Sequence, residues 1–86
     1  MKIIYTKNFV SQYKKLPPEL KSEAEGKEKL FRNNPFDPKL KIHKLTGKLK
    51  GRWSFRLDYK NRIVVTFNGK NEAWFIAVGN HDIYKK

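Results

Sequence analysis

Two histidines, two arginines and a tyrosine in the second half of the chain have the side-chain types that RNA cleavage without a metal requires. They are His43, Arg56, Arg62, His81 and Tyr84. In that reaction the 2′-OH of the RNA is the nucleophile, so the protein must remove its proton, protonate the departing 5′-oxygen and stabilise charge on the phosphate. Imidazole suits both proton transfers, and guanidinium groups bind phosphate oxygens bidentately. The alternative for each histidine and for the tyrosine is an ordinary surface or packing role.

The charge of the chain favours a polyanionic partner. Its 86 residues include 20 Lys+Arg and 8 Asp+Glu, which gives a formal net charge of +12. Residues 39–62 hold nine of the 20 basic side chains and a single acid, Asp58. A solvated surface is the simpler explanation of such a stretch, but the excess charge and the interleaved aromatic residues favour phosphate contacts. The residues expected to bind RNA are Lys39, Lys41, Lys44, Lys48, Lys50 and Arg52.

Composition excludes several classes of protein. The chain has no cysteine and two histidines, so it has no disulfide framework and no thiolate metal site. It contains no glycine-rich phosphate loop, no G-x-S-x-G motif and no spacing typical of metal ligands. The longest apolar run, residues 73–78, has six residues, whereas a membrane span needs about 20. With no signal peptide in residues 1–6, we expect a cytoplasmic protein that needs no metal or other cofactor.

Hydrophobic periodicity in the first half of the chain predicts a strand followed by a helical hairpin. The strand covers residues 2–5 and ends at Thr6, a suitable N-cap for the first helix. Pro17-Pro18 ends that helix, and Pro18 begins a second helix that runs to about Arg32. Asn33-Asn34-Pro35 then stops the second helix.

The second half predicts strands. Residues 34–51 form a basic connection with one short strand at most, and alternation then predicts strands over 52–58, 62–67 and 72–78. We therefore expect a single domain over residues 1–86 of the α+β class. An N-terminal strand and a two-helix hairpin pack on one face of a twisted, mainly antiparallel sheet, in the order β-α-α-β-β-β.

Alternation also predicts which strand residues share a face. Pairing of Asp58 with Arg62 across the first turn would place Arg56 beside Val64, with both arginines away from the helices. The helices would cover Trp53, Phe55, Leu57, Ile63, Val65 and Phe67. Continued alternation puts Trp74, Ile76 and Val78 in the core. It puts Ala73, Ala77 and Gly79 on the arginine side, where they would leave a hollow lined by Arg56, Arg62 and His81.

Several motifs along nearly the whole chain resemble the RelE/ParE toxin superfamily. They are Pro35-Phe36-Asp37, His43-Lys44-Leu45, the LKGRWSFR segment at 49–56, Arg62-Ile63-Val64 and the ending at 78–84. The H-x-L to G-x-W-x-x-R segment and the G-x-H-x-x-x ending are most similar to the YafQ-like and YoeB-like branches. The resemblance implies a RelE-like fold and a toxin of a type II toxin-antitoxin system. Such a toxin is an endoribonuclease that cuts mRNA in the ribosomal A site and is held inactive by a cognate antitoxin, here expected to be acidic.

The resemblance also implies a role for each candidate. His43 matches a general base, Arg56 an arginine that stabilises the transition state, and Arg62 the arginine that opens the next strand. His81 matches a general acid, and Tyr84 an aromatic residue that stacks on a base or assists proton transfer. The assignment of base and acid between the two histidines stays open, as does the role of Asp82.

Two rival functions fit the same sequence. The ParE-type members of the superfamily inhibit DNA gyrase and are not nucleases, but an inhibitor needs no acid–base pair such as His43 and His81. The second rival is a basic nucleic-acid-binding module without catalysis. RNA cleavage with mRNA and ribosomal RNA as partners accounts for more of the candidate residues.

Overall fold

A five-stranded sheet with two helices packed on it forms the fold of residues 1–80, which are the residues that this computed structural model describes. The strands are β1 (Lys2–Tyr5), β2 (His43–Lys44), β3 (Trp53–Arg56), β4 (Arg62–Phe67) and β5 (Glu72–Gly79). The helices are α1 (Lys7–Lys14) and α2 (Pro18–Asn33), and two short 3-10 helices cover Pro38–Leu40 and Gly47–Leu49. The α+β class is confirmed, and β2 is the short strand allowed for in the basic connection.

The sheet is mixed, with strand order β1-β5-β4-β3-β2. Strand β1 pairs with β5 in parallel, and the other three pairs are antiparallel. The most apolar strand, β5, therefore lies between β1 and β4, as expected for a strand without polar alternation. The two edges of the sheet are β1 and the two-residue strand β2.

The helices begin where local chemistry predicts. The Thr6 hydroxyl accepts a hydrogen bond from the Phe9 backbone N–H at 3.2 Å, which caps α1. Helix α2 begins at Pro18, whose fixed backbone angle suits the first helical position.

An aromatic cluster joins the helices to the sheet. Phe31 of α2 is fully buried, and its ring centroid lies 5.3 Å from that of Phe55, 5.9 Å from that of Phe67 and 5.2 Å from that of Phe75. Phe9 of α1 reaches Phe75 at 5.5 Å. Loss of a phenyl ring from such a site costs about 3–5 kcal/mol. These contacts define the core face of the sheet, and they fix the other face as the one that carries the arginines.

The expected alternation along β5 is wrong in its first half. Ala73 is fully buried in the core, where it was not expected, and Trp74 is 40% exposed on the opposite face. A β-bulge explains the change: Val64 pairs with Ala77 and Val65 with Phe75, so Ile76 is an extra, partly buried residue. The alternation reverses at that residue, and Ala77, Val78 and Gly79 therefore lie as predicted.

Helix α1 supplies hydrogen bonds to β5 beyond the end of β1. The bulge carbonyl of Ile76 accepts from the Thr6 hydroxyl at 3.2 Å and from Asn8 Nδ2 at 2.9 Å. Further along, the Val78 backbone N–H donates to Gln12 Oε1 at 2.8 Å. Polar side chains at the start of α1 and along it thus replace a neighbouring strand along the last part of β5.

Candidate functional site

The face of the sheet opposite the helices carries three of the five candidate catalytic residues, and we call it the arginine face. Register places His43 opposite Ser54, Ser54 opposite Val64, and Val64 opposite Ala77 in one row. Arg56, Arg62 and Gly79 form the next row. Since alternate residues of a strand share a face, His43 is a diagonal neighbour of Arg56, at a typical separation of about 7–8 Å.

The centre of the arginine face is buried although neither α1 nor α2 lies over it. Ser54, Val64 and Ala77 are 0%, 3% and 6% exposed. Arg56 and Arg62 are both partly buried, whereas His43 is exposed. The predicted hollow of small residues therefore exists in part: Ala77 and Gly79 lie beside the arginine row, but Ala73 belongs to the core. The cationic groups and the imidazole surround a tightly packed centre.

The expected pairing of Asp58 with Arg62 is wrong by two residues. Arg62 lies directly opposite Arg56, and Val64 lies opposite Ser54. The reason is the turn: Asp58 Oδ1 accepts from the backbone N–H of Lys60 at 2.8 Å and of Asn61 at 2.7 Å. An aspartate used in this way belongs to the turn and not to the strand. The faces are unchanged by a shift of two, so both arginines still lie together.

The turn also holds Arg62 in place. Its guanidinium Nη1 donates to the backbone carbonyl of Asp58 at 2.8 Å and to that of Asn61 at 3.4 Å. Burial alone would raise the pKa of Asp58, but hydrogen bonds from Asn61 and Lys60 and the positive charge of Arg62 outweigh it and lower the pKa. The carboxylate is therefore ionised at neutral pH, and it partly balances Arg62.

Arg56 has a different environment. Within residues 1–80 its guanidinium makes no hydrogen bond or ion pair, and the one ion pair found there joins Arg32 to Glu28 on α2. A partly buried arginine beside a second arginine is a favourable site for a phosphate or another anion. The two arginines thus differ within residues 1–80: Arg62 is positioned by the turn, and Arg56 is not.

A backbone carbonyl orients the imidazole of His43. His43 Nδ1 lies 3.4 Å from the carbonyl oxygen of Lys41. Because a carbonyl can only accept, this contact favours a proton on Nδ1 and leaves Nε2 of the neutral ring as a proton acceptor. Lys41 has φ of 52°, in the left-handed region that lysine rarely adopts.

All six residues expected to bind RNA are exposed, and they do not share one face. Lys44 lies opposite Trp53 on the core side of the sheet edge, with Nζ 5.4 Å from the centroid of the indole ring. Beside them is a pocket of about 410 Å³, lined among others by Leu45, Lys50 and Arg52. The basic cluster therefore wraps around the β2 edge, with cations on both sides of it.

His81 and Tyr84 lie outside the described residues, so their positions relative to the arginines stay predictions. Trp53 lies on the core face at the margin of the core, as alternation indicates. Trp74 is the exposed aromatic residue that alternation assigned to the core. Residues 1–80 contain no group of three or more metal-ligating side chains. None of their helices is long and apolar enough to cross a membrane.

Comparisons by sequence and by structure give different results. No family model matches the chain, and no curated protein is significantly similar in sequence. Solved structures are similar: YafQ from E. coli strain BL21(DE3) has a TM-score of 0.82 at 18% identity, over 99% of this chain and 98% of that one. The YoeB/ParE toxin from Agrobacterium tumefaciens has a TM-score of 0.80 at 21% identity, over 94% and 99%.

An antitoxin complex is also among the similar structures. A chain of the RelB-RelE antitoxin-toxin complex from Methanococcus jannaschii has a TM-score of 0.77 at 23% identity, over 95% of each chain. The chain therefore has the fold of the YoeB, YafQ and RelE toxins. The fold implied by the sequence motifs is confirmed over nearly the full length.

Proposed function

We propose that the protein is a toxin of the RelE/ParE superfamily that cleaves mRNA on the ribosome. The observation that carries the proposal is the grouping of His43, Arg56 and Arg62 on one face of a RelE-like sheet. These residues lie in three different strands and were selected as candidates by side-chain type and family motif. The net charge of +12 further supports a nucleic acid substrate.

The proposed reaction is transesterification within the RNA chain. His43 Nε2 accepts the proton of a 2′-OH, and the resulting oxyanion attacks the adjacent phosphorus. The bond from phosphorus to the 5′-oxygen breaks, which yields a 2′,3′-cyclic phosphate and a 5′-OH end. Arg56 and Arg62 stabilise the added negative charge on the phosphate oxygens. His81, with Tyr84 near it in sequence, is proposed to protonate the departing oxygen, and this assignment rests on the family motif alone.

Dependence on the ribosome follows from the small number of acid–base groups. Each proton transfer by a positioned side chain contributes about 10²- to 10⁴-fold, and the remainder must come from holding the 2′-oxygen in line with the departing oxygen. A ribosome supplies that orientation, whereas in free RNA the 2′-oxygen is rarely in line with the departing oxygen. The exposed cations from Lys39 to Arg52 are proposed to contact ribosomal RNA.

The proposed regulator is a cognate antitoxin of acidic character. The charge of this chain favours such a partner, since complementary charge speeds encounter and excludes cationic proteins. RelE of similar fold is solved in an antitoxin-toxin complex. An antitoxin that covers the arginine face would also neutralise the paired charges of Arg56 and Arg62.

The proposal is tested by induced expression in a bacterial host. Primer extension on several transcripts should reveal cuts in phase with the reading frame, and the cuts should disappear in Arg56→Ala. Lys70→Ala is the matched control, because it removes an exposed cation from the β4–β5 turn, away from the arginine row. Growth arrest without cuts would favour gyrase inhibition, and the absence of arrest would favour a binding module without catalysis.

A further inference from the structure

Trp74 is a large aromatic side chain exposed on the arginine face without a role in the core. It is 40% exposed, and register places it opposite Thr66 of β4 and Ile4 of β1. The bulge at Ile76 is what turns it out of the core. Burial of the tryptophan instead of Ala73 would remove more apolar surface from water and stabilise the fold more. The exposure of the indole therefore favours a role in binding a ligand.

The indole ring is held in a fixed orientation. Trp74 Nε1 donates to Glu72 Oε2 at 2.9 Å, and the same oxygen accepts from Asn68 Nδ2 at 2.8 Å. The hydrogen bonds from Trp74 and Asn68, together with the charge of Lys2, lower the pKa of Glu72, so the acceptor is ionised at neutral pH. A ring that is already ordered loses little conformational entropy when a ligand stacks on it.

Trp74 lies on the same face as the arginine row, further along the sheet. Thr66, its neighbour, is four residues from Arg62 in β4, and at about 3.4 Å per residue the separation along the strand is about 14 Å. Arg52 is exposed beside this end of β4, where the Thr66 hydroxyl donates to the Gly51 carbonyl at 3.3 Å. The cation of Arg52 and the aromatic ring of Trp74 therefore lie at the same end of the sheet. A few nucleotides of RNA can span the distance from this end to the arginine row.

We infer that Trp74 is a stacking platform for a base of single-stranded RNA, a few nucleotides from a phosphate held by Arg56 and Arg62. Stacking on an aromatic side chain is tolerant of base identity, and the nearby Arg52 neutralises the backbone. The inference rests on the proposed function for the position of the cleaved phosphate. It does not depend on cleavage, because stacking is a binding contact.

The experiment uses tryptophan fluorescence, since the chain contains two tryptophans, Trp53 and Trp74. A Trp53→Phe variant leaves Trp74 as the single reporter while it keeps an aromatic ring at the core margin. Titration with the single-stranded oligonucleotide A₆ should quench this fluorescence. In the wild-type background, Trp74→Ala should weaken A₆ binding by about 5- to 140-fold, and Trp74→Phe should bind nearly as well as wild type.

Salt dependence separates stacking from charge. Trp74→Ala should leave the slope of log affinity against log salt unchanged, because no phosphate contact is removed, whereas Arg52→Gln should reduce it by about 0.7. Val10→Ala is the control for loss of an exposed apolar side chain, since Val10 on α1 is 39% exposed. It should bind A₆ as wild type does.

The possible outcomes distinguish this inference from the proposed function. Equal A₆ binding by wild type and Trp74→Ala, with unquenched fluorescence, would overturn the stacking role even if cellular mRNA is cut in an Arg56-dependent way. Quenching and weakened binding would support the platform even if no cleavage is found, in which case the nuclease proposal fails alone. Fluorescence that responds to a purified acidic antitoxin peptide and not to A₆ would identify a protein-binding residue and would also overturn the inference.

Discussion

Arg56 and Arg62 lie directly opposite each other in the antiparallel β3–β4 pair, with both side chains on the arginine face. Like charges at opposed positions of a sheet are destabilising by up to about 1 kcal/mol. Arg62 is held by the carbonyls of the turn, and within the described residues Arg56 has no such partner. The arrangement should therefore cost stability in the free protein, and we propose that an anion bound between the two groups compensates this cost.

Arg56→Gln should therefore be slightly more stable than wild type while it loses activity. Removing one of two opposed cations relieves repulsion, and we expect a gain of about 0.2–1 kcal/mol in the free energy of unfolding. Urea denaturation at low salt measures it. Lys70→Gln, which removes an exposed charge from a turn, is the control and should change stability by less than about 0.5 kcal/mol.

Arg62→Gln removes the same charge with the opposite result for stability. This substitution loses the 2.8 Å hydrogen bond to the Asp58 carbonyl, so we expect a net loss of about 1 kcal/mol. The comparison with Arg56→Gln isolates the role of the turn. Equal stability changes in the two variants would show that the two arginines do not differ in the way described.

Acid should weaken the β3–β4 turn through Asp58. Its pKa is lowered in the folded protein from an ordinary value of 3.8, so the ionised carboxylate stabilises the fold above that pH and the contribution is lost as the pH falls below it. In Asp58→Asn an oxygen still accepts the turn hydrogen bonds but does not titrate. The stability difference between wild type and this variant should shrink between pH 5 and pH 2, as urea midpoints would report. A constant difference would argue against the lowered pKa.

Gln12 should protect the end of β5 from local opening. Gln12→Leu leaves the Val78 N–H without its acceptor, at a cost of about 1–3 kcal/mol for a buried donor. Amide hydrogen exchange by NMR should show faster exchange at Val78, while the Phe75 amide changes less. Gln12→Glu is the control because its carboxylate still accepts. If all three proteins protect Val78 equally, then α1 does not secure this strand.

His43→Ala should reduce cleavage strongly without loss of stability. The side chain is exposed, so the free energy of unfolding should change by less than about 0.5 kcal/mol, whereas loss of a general base costs about 10²-fold or more in rate. Ribosome-dependent cleavage of a purified mRNA measures the effect. Lys70→Ala, which removes an exposed cation from the β4–β5 turn, is the control, and equal losses in both variants would contradict a general-base role for His43.

The sequence predicts the helical layer and the sheet layer because short stretches of sequence determine where each element begins, ends and faces the core. Pro17-Pro18 separates the helices, and the alternation from Trp53 to Leu57 identifies the core face of β3 without any knowledge of the partner strands. The pairing of Arg56 with Arg62 required the length of the turn, which depends on how Asp58 uses its carboxylate. Since a shift of two preserves the faces, Arg56 and Arg62 lie on one face as predicted.

No pattern in the sequence predicts the bulge in β5. Residues 73–78 are apolar at every position, so hydrophobicity contains no information on which of them face the helices. Alternation continued across the β4–β5 turn assigns Trp74 to the core, whereas its exposure depends on Ile76 being accommodated as an extra residue beside Thr6 and Asn8. The local feature compatible with an exposed ring is Glu72, two residues before Trp74, whose carboxylate accepts a hydrogen bond from the indole N–H.

Mapping of mRNA ends after brief induction of wild type and of Arg56→Ala tests whether the arginine face is catalytic. If the arginine face is the catalytic face of a ribosome-dependent nuclease, wild type produces cuts in phase with translated codons and Arg56→Ala produces none while it accumulates as folded protein. Growth arrest by both proteins with intact transcripts would contradict the claim.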